Sequence, residues 1–399
     1  MRVLRSIALC VILLITHDVI SIAQINLVSN PSFEDISSCP DGSSQLNRAI
    51  GWSTLKNGGG GDPELFHTCC TNPTMCGVPL NYFNLSIQYP HSGNAYVGID
   101  VAISTQPNNY REYIQSKLKK GLSSGHTYCV KFYASLLDQN LAYITTLGAY
   151  LDSGNVYAST YLGLAIATPQ VYNNTQPLND TVNWMKIEGS FTATGIESYI
   201  TIGNFFPDSS SGIGFFGSPT SWWAYYYIDD VSVIDANLPA YAGKDTLIHP
   251  GDSVFIGRQP EVGLDEDCIW NVNGLPLDTI AGMWVKPDST TTYILEQTIC
   301  GNVKWDTVTV IVSGVGIATY TNSSKGIMIY PNPATNMLNI ESSTKFSQLI
   351  VTDILGNVLI RQLVYNKAVS VDVSELSKGL YFVKMIRDKG IVVRRFLKE

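Results

Sequence analysis

Tyr128-Cys129-Val130-Lys131-Phe132-Tyr133-Ala134-Ser135-Leu136-Leu137 alternates: Val130, Phe132 and Ala134 fall on one side, Cys129, Lys131 and Tyr133 on the other. A period of two is that of a β-strand with one face in a core. Upstream, residues 95–101 repeat the pattern. Downstream, 147–151, 184–191, 199–205 and 225–234 read as further short strands. Residues 111–119 read as a strand or a helical turn, ended by Gly121 and Gly125. No stretch carries a convincing 3.6-residue apolar period. Many short strands with turn signals between them define an all-β sandwich class.

The chain has 399 residues, 45% of them hydrophobic and 15% charged, enough for two or three packed domains. Residues 1–23 read as a secretory signal peptide. Arg2 and Arg5 precede an apolar run at 7–15, and Ser21-Ile22-Ala23 offers small residues at the cleavage positions. No other stretch approaches 18 apolar residues, so no membrane-spanning helix is expected in the mature chain. Charge is unevenly placed. Residues 24–324 hold 12 Lys/Arg against 26 Asp/Glu, whereas 325–399 hold 11 against 6. An acidic body repels phosphates and excludes a nucleic-acid partner. After Cys10 leaves with the signal, seven cysteines remain, and export makes disulfides the expected state with one thiol left over.

Residues 24–236 form the first module. Asn30-Pro31-Ser32-Phe33-Glu34, Gly51-Trp52, the strand following Gly125-His126, and Tyr227-Ile228-Asp229-Asp230-Val231-Ser232-Val233 together resemble the jelly-roll carbohydrate-binding modules of the galactose-binding-like group. The cysteine-rich loop from Cys69 to Cys76 departs from that pattern and could reshape a binding face. Residues 237–313 form the second module, with strands expected at 253–256, 268–272, 291–296 and 307–312. Asp288-Ser289-Thr290-Thr291-Thr292-Tyr293 and Asp306-Thr307-Val308-Thr309-Val310 resemble immunoglobulin-like repeats of the PKD type, which often act as spacers. Cys268 and Cys300 are expected to pair within it; closing a loop of that size contributes about 3 kcal/mol. Residues 314–326 read as a linker. Residues 327–399 follow, with Tyr330-Pro331-Asn332-Pro333, the Asp353-Ile354-Leu355-Gly356 turn, Leu376-Ser377-Lys378-Gly379-Leu380-Tyr381-Phe382-Val383 and a basic, apolar end. This segment resembles the C-terminal sorting domain of the type IX secretion system of Bacteroidetes. The resemblance implies a small β-sandwich, export across the outer membrane of a Gram-negative cell, contact with the secretion machinery there, and removal of the domain.

Chemistry-bearing residues are few. Period two places Asp229 on the row of Val231 and Val233, where a buried acid needs a partner. The resembled jelly rolls hold a structural calcium between the first and last strands. This implies Glu34 and Asp229 as oxygen ligands, with Asp230 facing the other way as a weaker candidate. His67, Cys69, Cys70 and Cys76 lack the paired Cys-x2-Cys of structural zinc, so Cys69 and Cys76 are read as loop-stapling disulfide cysteines, with Cys39 and Cys129 available as partners. Gly121-Leu122-Ser123-Ser124-Gly125 has the spacing of a nucleophile elbow, but a strand follows where a helix is required, so it is read as a turn. Glu64, Glu112, Glu188 and Asp138 could serve a glycosidase but sit in no recognisable frame, and no His-Glu-x-x-His is present. Trp222-Trp223 and Tyr225-Tyr226-Tyr227 form a dense aromatic patch, whose flat faces suit sugar rings. Trp222 and Trp223 are the expected ligand contacts, with Tyr110 and Arg111 adding a polar one. The function expected is non-catalytic glycan binding or adhesion at the cell surface, with a surface polysaccharide as partner. A structural role binding protein is the alternative, and a polysaccharide hydrolase a further one.

Overall fold

The computed structural model describes residues 25–55, 61–81, 86–105, 109–156, 168–313, 327–364, 366–387 and 390–399. The expected signal peptide and the 314–326 linker lie outside the described residues. Two compact units are present, Met1–Ser313 and Gly314–Glu399.

The first unit opens with a sandwich of two five-stranded sheets. One sheet contains Trp52–Ser53 (β1), Tyr113–Lys117 (β4), Leu147–Asp152 (β6), Val171–Tyr172 (β7) and Tyr199–Asn204 (β9), in the order β1-β4-β9-β6-β7. The other contains Glu64–His67 (β2), Ala95–Ile103 (β3), Thr127–Leu136 (β5), Met185–Thr192 (β8) and Trp223–Asp235 (β10), in the order β8-β5-β10-β3-β2. The alternation in β5 sends Val130, Phe132 and Ala134 inward, where they meet Val97, Ile99, Ile202 and Ile228 between the sheets. Residues 113–117 resolve as a strand, paired to β9 and β1.

In β10 the expected register is corrected. Asp229 pairs with Tyr133 but Ser232 pairs with Lys131, so a β-bulge lies between them. Asp230 takes φ 48° there. The extra residue flips the strand's parity. Tyr225, Tyr227 and Asp229 therefore face away from the inter-sheet core, while Val231 and Val233 face into it.

The second sandwich has a sheet of Thr246–Ile248 (β11), Cys268–Val272 (β13), Leu275–Asp278 (β14), Thr291–Ile299 (β16) and Asn302–Val312 (β17), in the order β11-β17-β16-β13-β14. Val254–Gly257 (β12) and Gly282–Val285 (β15) pair opposite it. Its core centres on Trp270, Tyr293, Leu295 and Val308, and is continuous with Cys129 and Ile234 of the first sandwich.

The expected disulfides are corrected. Cys300 bonds Cys129, not Cys268, with a Cα–Cα distance of 5.6 Å. Ladder register explains this: Cys268 opens β13 opposite Gln297, while Cys300 is at the tip of the β16–β17 hairpin, against β5. Cys268 is the leftover thiol, buried, with its pKa pushed up to about 12 by desolvation. Cys69 bonds Cys39 and Cys70 bonds Cys76. Both Cys69 and Cys76 are bridged, but each to a different partner, and the bonded sulfurs leave no thiolate set for zinc.

Lys131, on the outer side of β5, is fully buried where the second sandwich covers it. Its Nζ donates to Asp267 Oδ1 at 2.8 Å, Glu266 Oε1 at 3.1 Å and the Gly263 carbonyl at 3.3 Å. Burial pushes Asp267 up to about 6, and the Lys131 charge opposes it. Lys131→Met therefore leaves a buried carboxylate without its cation and destabilises the unit by about 3 kcal/mol. Thermal melting at neutral pH checks this; a variant as stable as the parent would refute it.

The second unit, Gly314–Glu399, is a separate sandwich. Ile327–Tyr330 (β18), Met337–Ser342 (β19) and Ala368–Asp372 (β22) form one sheet in the order β18-β19-β22. Gln348–Thr352 (β20), Val358–Leu363 (β21), Gly379–Arg387 (β23) and Gly390–Lys398 (β24) form the other in the order β21-β20-β23-β24. Leu338, Ile340, Leu349, Val351, Val383 and Phe396 fill the space between them. Tyr330-Pro331-Asn332-Pro333 leads from β18 toward β19, and Asn332 Oδ1 accepts the Leu397 amide at 2.8 Å, tying that entry to the final strand. Gly356, at φ 89°, closes a turn in which Asp353 Oδ1 accepts the amides of Leu355 and Asn357, each at 2.9 Å.

Candidate functional site

The outer face of the β8-β5-β10-β3-β2 sheet is where the first sandwich concentrates its aromatic side chains. Phe66, Tyr96, Leu137, Tyr225 and Tyr227 form a second apolar layer there, with Trp184 and Trp223 against it. Alternation produces this layer, since every second residue of β3 and β10 turns away from the core. Gly98 makes room in it: a Cβ at that position would come within 1.9 Å of the Tyr225 hydroxyl.

The segment between β2 and β3 lies over the middle of this face. It holds the Cys70–Cys76 loop and a hairpin of Leu80–Asn81 with Ser86–Ile87. Tyr227 donates its hydroxyl hydrogen to Asn81 Oδ1 at 2.6 Å, Tyr96 donates to the Gln88 carbonyl at 2.9 Å, and Trp184 Nε1 donates to the Tyr89 carbonyl at 3.0 Å. The stretch after the Cys70–Cys76 loop thus lies against Tyr96 and Tyr227 and accepts their hydroxyl hydrogens at Gln88 and Asn81.

One end of the face stays open. A groove of about 450 Å³ is lined there by Asp100, Thr105, Gln139, Leu141, Trp222 and Trp223, among others. Trp222 is held by its backbone: its amide donates to Ser104 Oγ at 2.8 Å and its carbonyl accepts the Ser104 amide at 2.9 Å. Its ring meets Phe215 edge-on at 5.4 Å between centroids. Trp223 begins β10, tilted against Tyr225 at 5.8 Å. Both tryptophans are partly exposed. Tyr110 and Arg111 do not line this groove. The Arg111 guanidinium is fully buried, donating to the carbonyls of Tyr110 and Phe206, each at 2.7 Å, and paired with Asp208 at 2.8 Å. It clamps the 205–211 loop.

Behind the groove lie acids that period and spacing could not group. Glu64 Oε2 accepts the Tyr225 hydroxyl at 2.7 Å. Glu112 accepts the Asp100 amide at 2.9 Å and the Asp62 amide at 3.0 Å. Burial raises Glu64 to about 8, with Asp100 and Asp62 adding to the rise and the Tyr225 hydrogen bond opposing it. Burial, then the charge of Asp62, raises Asp100 to about 7. Burial, then Asp100 and Glu64, holds Glu112 well above the carboxylate range. Asp100 alone of the three lines the groove, and its Oδ1 is closed to solvent with no donor among the described residues. Its place opposite Val97, Ile99 and Val101 was available from the alternation of β3.

The expected calcium ligands are placed around one loop, 91–95. Glu34 Oε1 accepts the amides of Asn94 at 2.6 Å and Ala95 at 3.0 Å, and Oε2 accepts Asn94 Nδ2 at 3.1 Å. Asp229 Oδ2 accepts the amides of His91 at 2.9 Å and Ser92 at 3.3 Å, while Oδ1 accepts the Asp230 amide at 2.7 Å. Asp230 holds the His91 ring at 2.5 Å and the Ser92 hydroxyl at 2.7 Å. Burial, then the Asp230 charge, pushes Asp229 well up, and the three amides oppose it. All six carboxylate oxygens thus face hydrogen-bond donors, which suits the loop better than a cation. We expect a chelator to leave the melting temperature of the chain unchanged. A fall of several degrees, abolished by Asp229→Ala, would reinstate calcium there.

Gly121–Gly125 is the loop between β4 and β5, with no helix after it.

Comparison with known proteins supports the terminal module directly. Residues 328–399 match the family described as "Secretion system C-terminal sorting domain". The chain is therefore type IX secretion cargo, secreted or attached at the cell surface in Bacteroidetes. Among the described residues no helix is long and apolar enough to cross a membrane. No match was found among curated proteins. Among solved structures, the CBM22-1 xylan-binding domain of Paenibacillus barcinonensis Xyn10C is similar at 13% identity, over 53% of this chain and 97% of that one, with a TM-score of 0.29. The K3 cleaved adhesin domain of Lys-gingipain from Porphyromonas gingivalis w83 is similar at 13% identity, over 52% and 99%, with a TM-score of 0.26. The CD2-binding domain of CD58 is similar at 14% identity, over 39% and 96%, with a TM-score of 0.20.

Proposed function

We propose that the chain is an exported, non-catalytic glycan-binding or adhesion protein whose ligand lies in the groove beside Trp222 and Trp223. The observation that carries this is the groove itself. Trp222 and Trp223, both partly exposed, line it together with Asp100, Thr105 and Gln139, so aromatic residues and hydrogen-bonding groups converge in about 450 Å³. A hydrolase needs two carboxyl groups at the substrate. Here Glu64 and Glu112 are buried outside the groove lining, and Asp100 is the acid among the lining residues.

Glycan-array screening and polysaccharide pull-down with residues 24–399 test the reading. Trp223→Ala is expected to weaken the strongest hit at least tenfold, since an aromatic contact in a binding pocket contributes about 1–2 kcal/mol or more. Absence of binding to any sugar would sink it. A protein partner is the second reading, favoured by the apolar side chains that the second sandwich exposes, Trp284, Trp305 and Leu275 among them. Crosslinking to one protein, uncompeted by sugar, would favour that reading.

A further inference from the structure

The glycan reading leaves open which sugars the groove admits, and the charges around it bear on that. Asp100 presents a carboxylate to the groove with one buried oxygen that no described donor reaches. A carboxylate that lines a groove accepts hydrogen bonds from ligand donors, such as a sugar hydroxyl or an ammonium group. Burial keeps the neighbouring Glu64 and Glu112 protonated near neutral pH, so the negative charge at the groove is that of Asp100, which ionises at about 7. The basic side chain next to Glu112 in sequence, Arg111, is turned away and neutralised by Asp208. The remaining polar groups of the lining, on Thr105, Gln139 and Ser221, are uncharged. The body as a whole carries 12 Lys/Arg against 26 Asp/Glu over residues 24–324. An anionic sugar entering here would lose hydration beside a like charge and find no cation in the lining.

We infer that the groove takes neutral or amino sugars and rejects uronic acids and sulfated units, with Asp100 as the residue that sets this selection. The inference rests on the glycan reading and goes beyond it in naming the class of unit accepted. Asp100 does this by presence rather than by reach. It supplies an acceptor to hydroxyl and ammonium donors, and it makes a second carboxylate or a sulfate costly at the same point. Selection of this kind uses repulsion as well as attraction.

Affinity electrophoresis and calorimetry on residues 24–399 test it, with mannan, xylan and laminarin as neutral probes, chitosan oligomers as the cationic probe, and alginate, polygalacturonate and heparin as anionic probes. At low salt and a pH above about 7, where Asp100 is ionised, we expect at least one neutral or cationic probe to bind at least tenfold more tightly than every anionic one. Asp100→Asn is expected to shrink that ratio to under about threefold, because the amide keeps the shape and removes the repulsion. Thermal melting confirms that the variant folds. A second measurement needs no variant: raising salt should narrow the ratio for the parent protein by improving the anionic probes. An anionic probe that binds as tightly as the neutral ones, or a ratio unmoved by both Asp100→Asn and salt, would overturn the selection. If Trp223→Ala still removes binding in that case, the glycan reading stands. Failure of every probe to bind overturns both.

Discussion

Replacing Cys129 and Cys300 together by alanine lowers the melting temperature of the Met1–Ser313 unit by about 10–20 °C. The bond joins β5 of the first sandwich to the β16–β17 hairpin of the second, across 171 positions of sequence. In the chain-entropy account, a loop of that length restrains the unfolded chain enough to contribute about 5 kcal/mol. For a unit of this size each kcal/mol moves the midpoint by about 2–4 °C. Both sulfurs lie against a shared core, since Cys129 and Ile234 pack with Trp270, Ile299 and Val308. The alanine pair therefore also removes packing at the junction. Scanning calorimetry of the double variant measures the loss. A midpoint within 3 °C of the parent would show that the junction is held by Lys131 and the apolar contacts alone. The single variant Cys268→Ser separates this from a general cysteine effect, because Cys268 is unbridged.

The strands were legible because their signal is local. Residues 268–272 and the runs at 128–137 and 225–234 alternate within themselves, and the observed strands fall on them. What alternation misplaced, tertiary contacts decided. The bulge at Asp230 breaks the period of two in β10, and nothing in Tyr227-Ile228-Asp229-Asp230-Val231 announces a positive φ. The partner of Cys300 lies on another sandwich, so spacing favoured the nearer Cys268. Arg111 reads as a surface cation from its type, yet carbonyls of two loops and Asp208 enclose it. Trp222 and Trp223 were visible as aromatic residues at a loop–strand boundary. Glu64, Asp100 and Glu112 were not visible as a group, because Glu64 begins β2, Asp100 lies within β3 and Glu112 precedes β4, and only the sheet order brings them together.

That group has a consequence for stability. The chain is expected to lose stability as pH rises from 5 to 9, in the direction opposite to ordinary acid unfolding. The carboxyls of Glu64 and Asp100 titrate near 8 and 7 in the folded chain, and Glu112 well above its ordinary range, each mainly because burial disfavours the charged form. In the unfolded chain they titrate at about 4. Between those limits the folded state holds protons that the unfolded state has released, so unfolding free energy falls with rising pH. Each unit of separation is worth about 1.4 kcal/mol, and the cluster as a whole a few kcal/mol. The opposing contribution of Asp41, Asp180, Asp353 and Asp372, held low by hydrogen bonds, is complete below about pH 5 and leaves the slope above it untouched. Glu64→Gln keeps an acceptor for the Tyr225 hydroxyl and removes one ionisation. It should leave the midpoint at pH 5 within about 2 °C of the parent and raise it by about 5 °C or more at pH 9, flattening the profile. Melting curves at half-unit intervals of pH decide this. A parent profile that is flat or rising over that range would mean the three acids are solvated or compensated in solution.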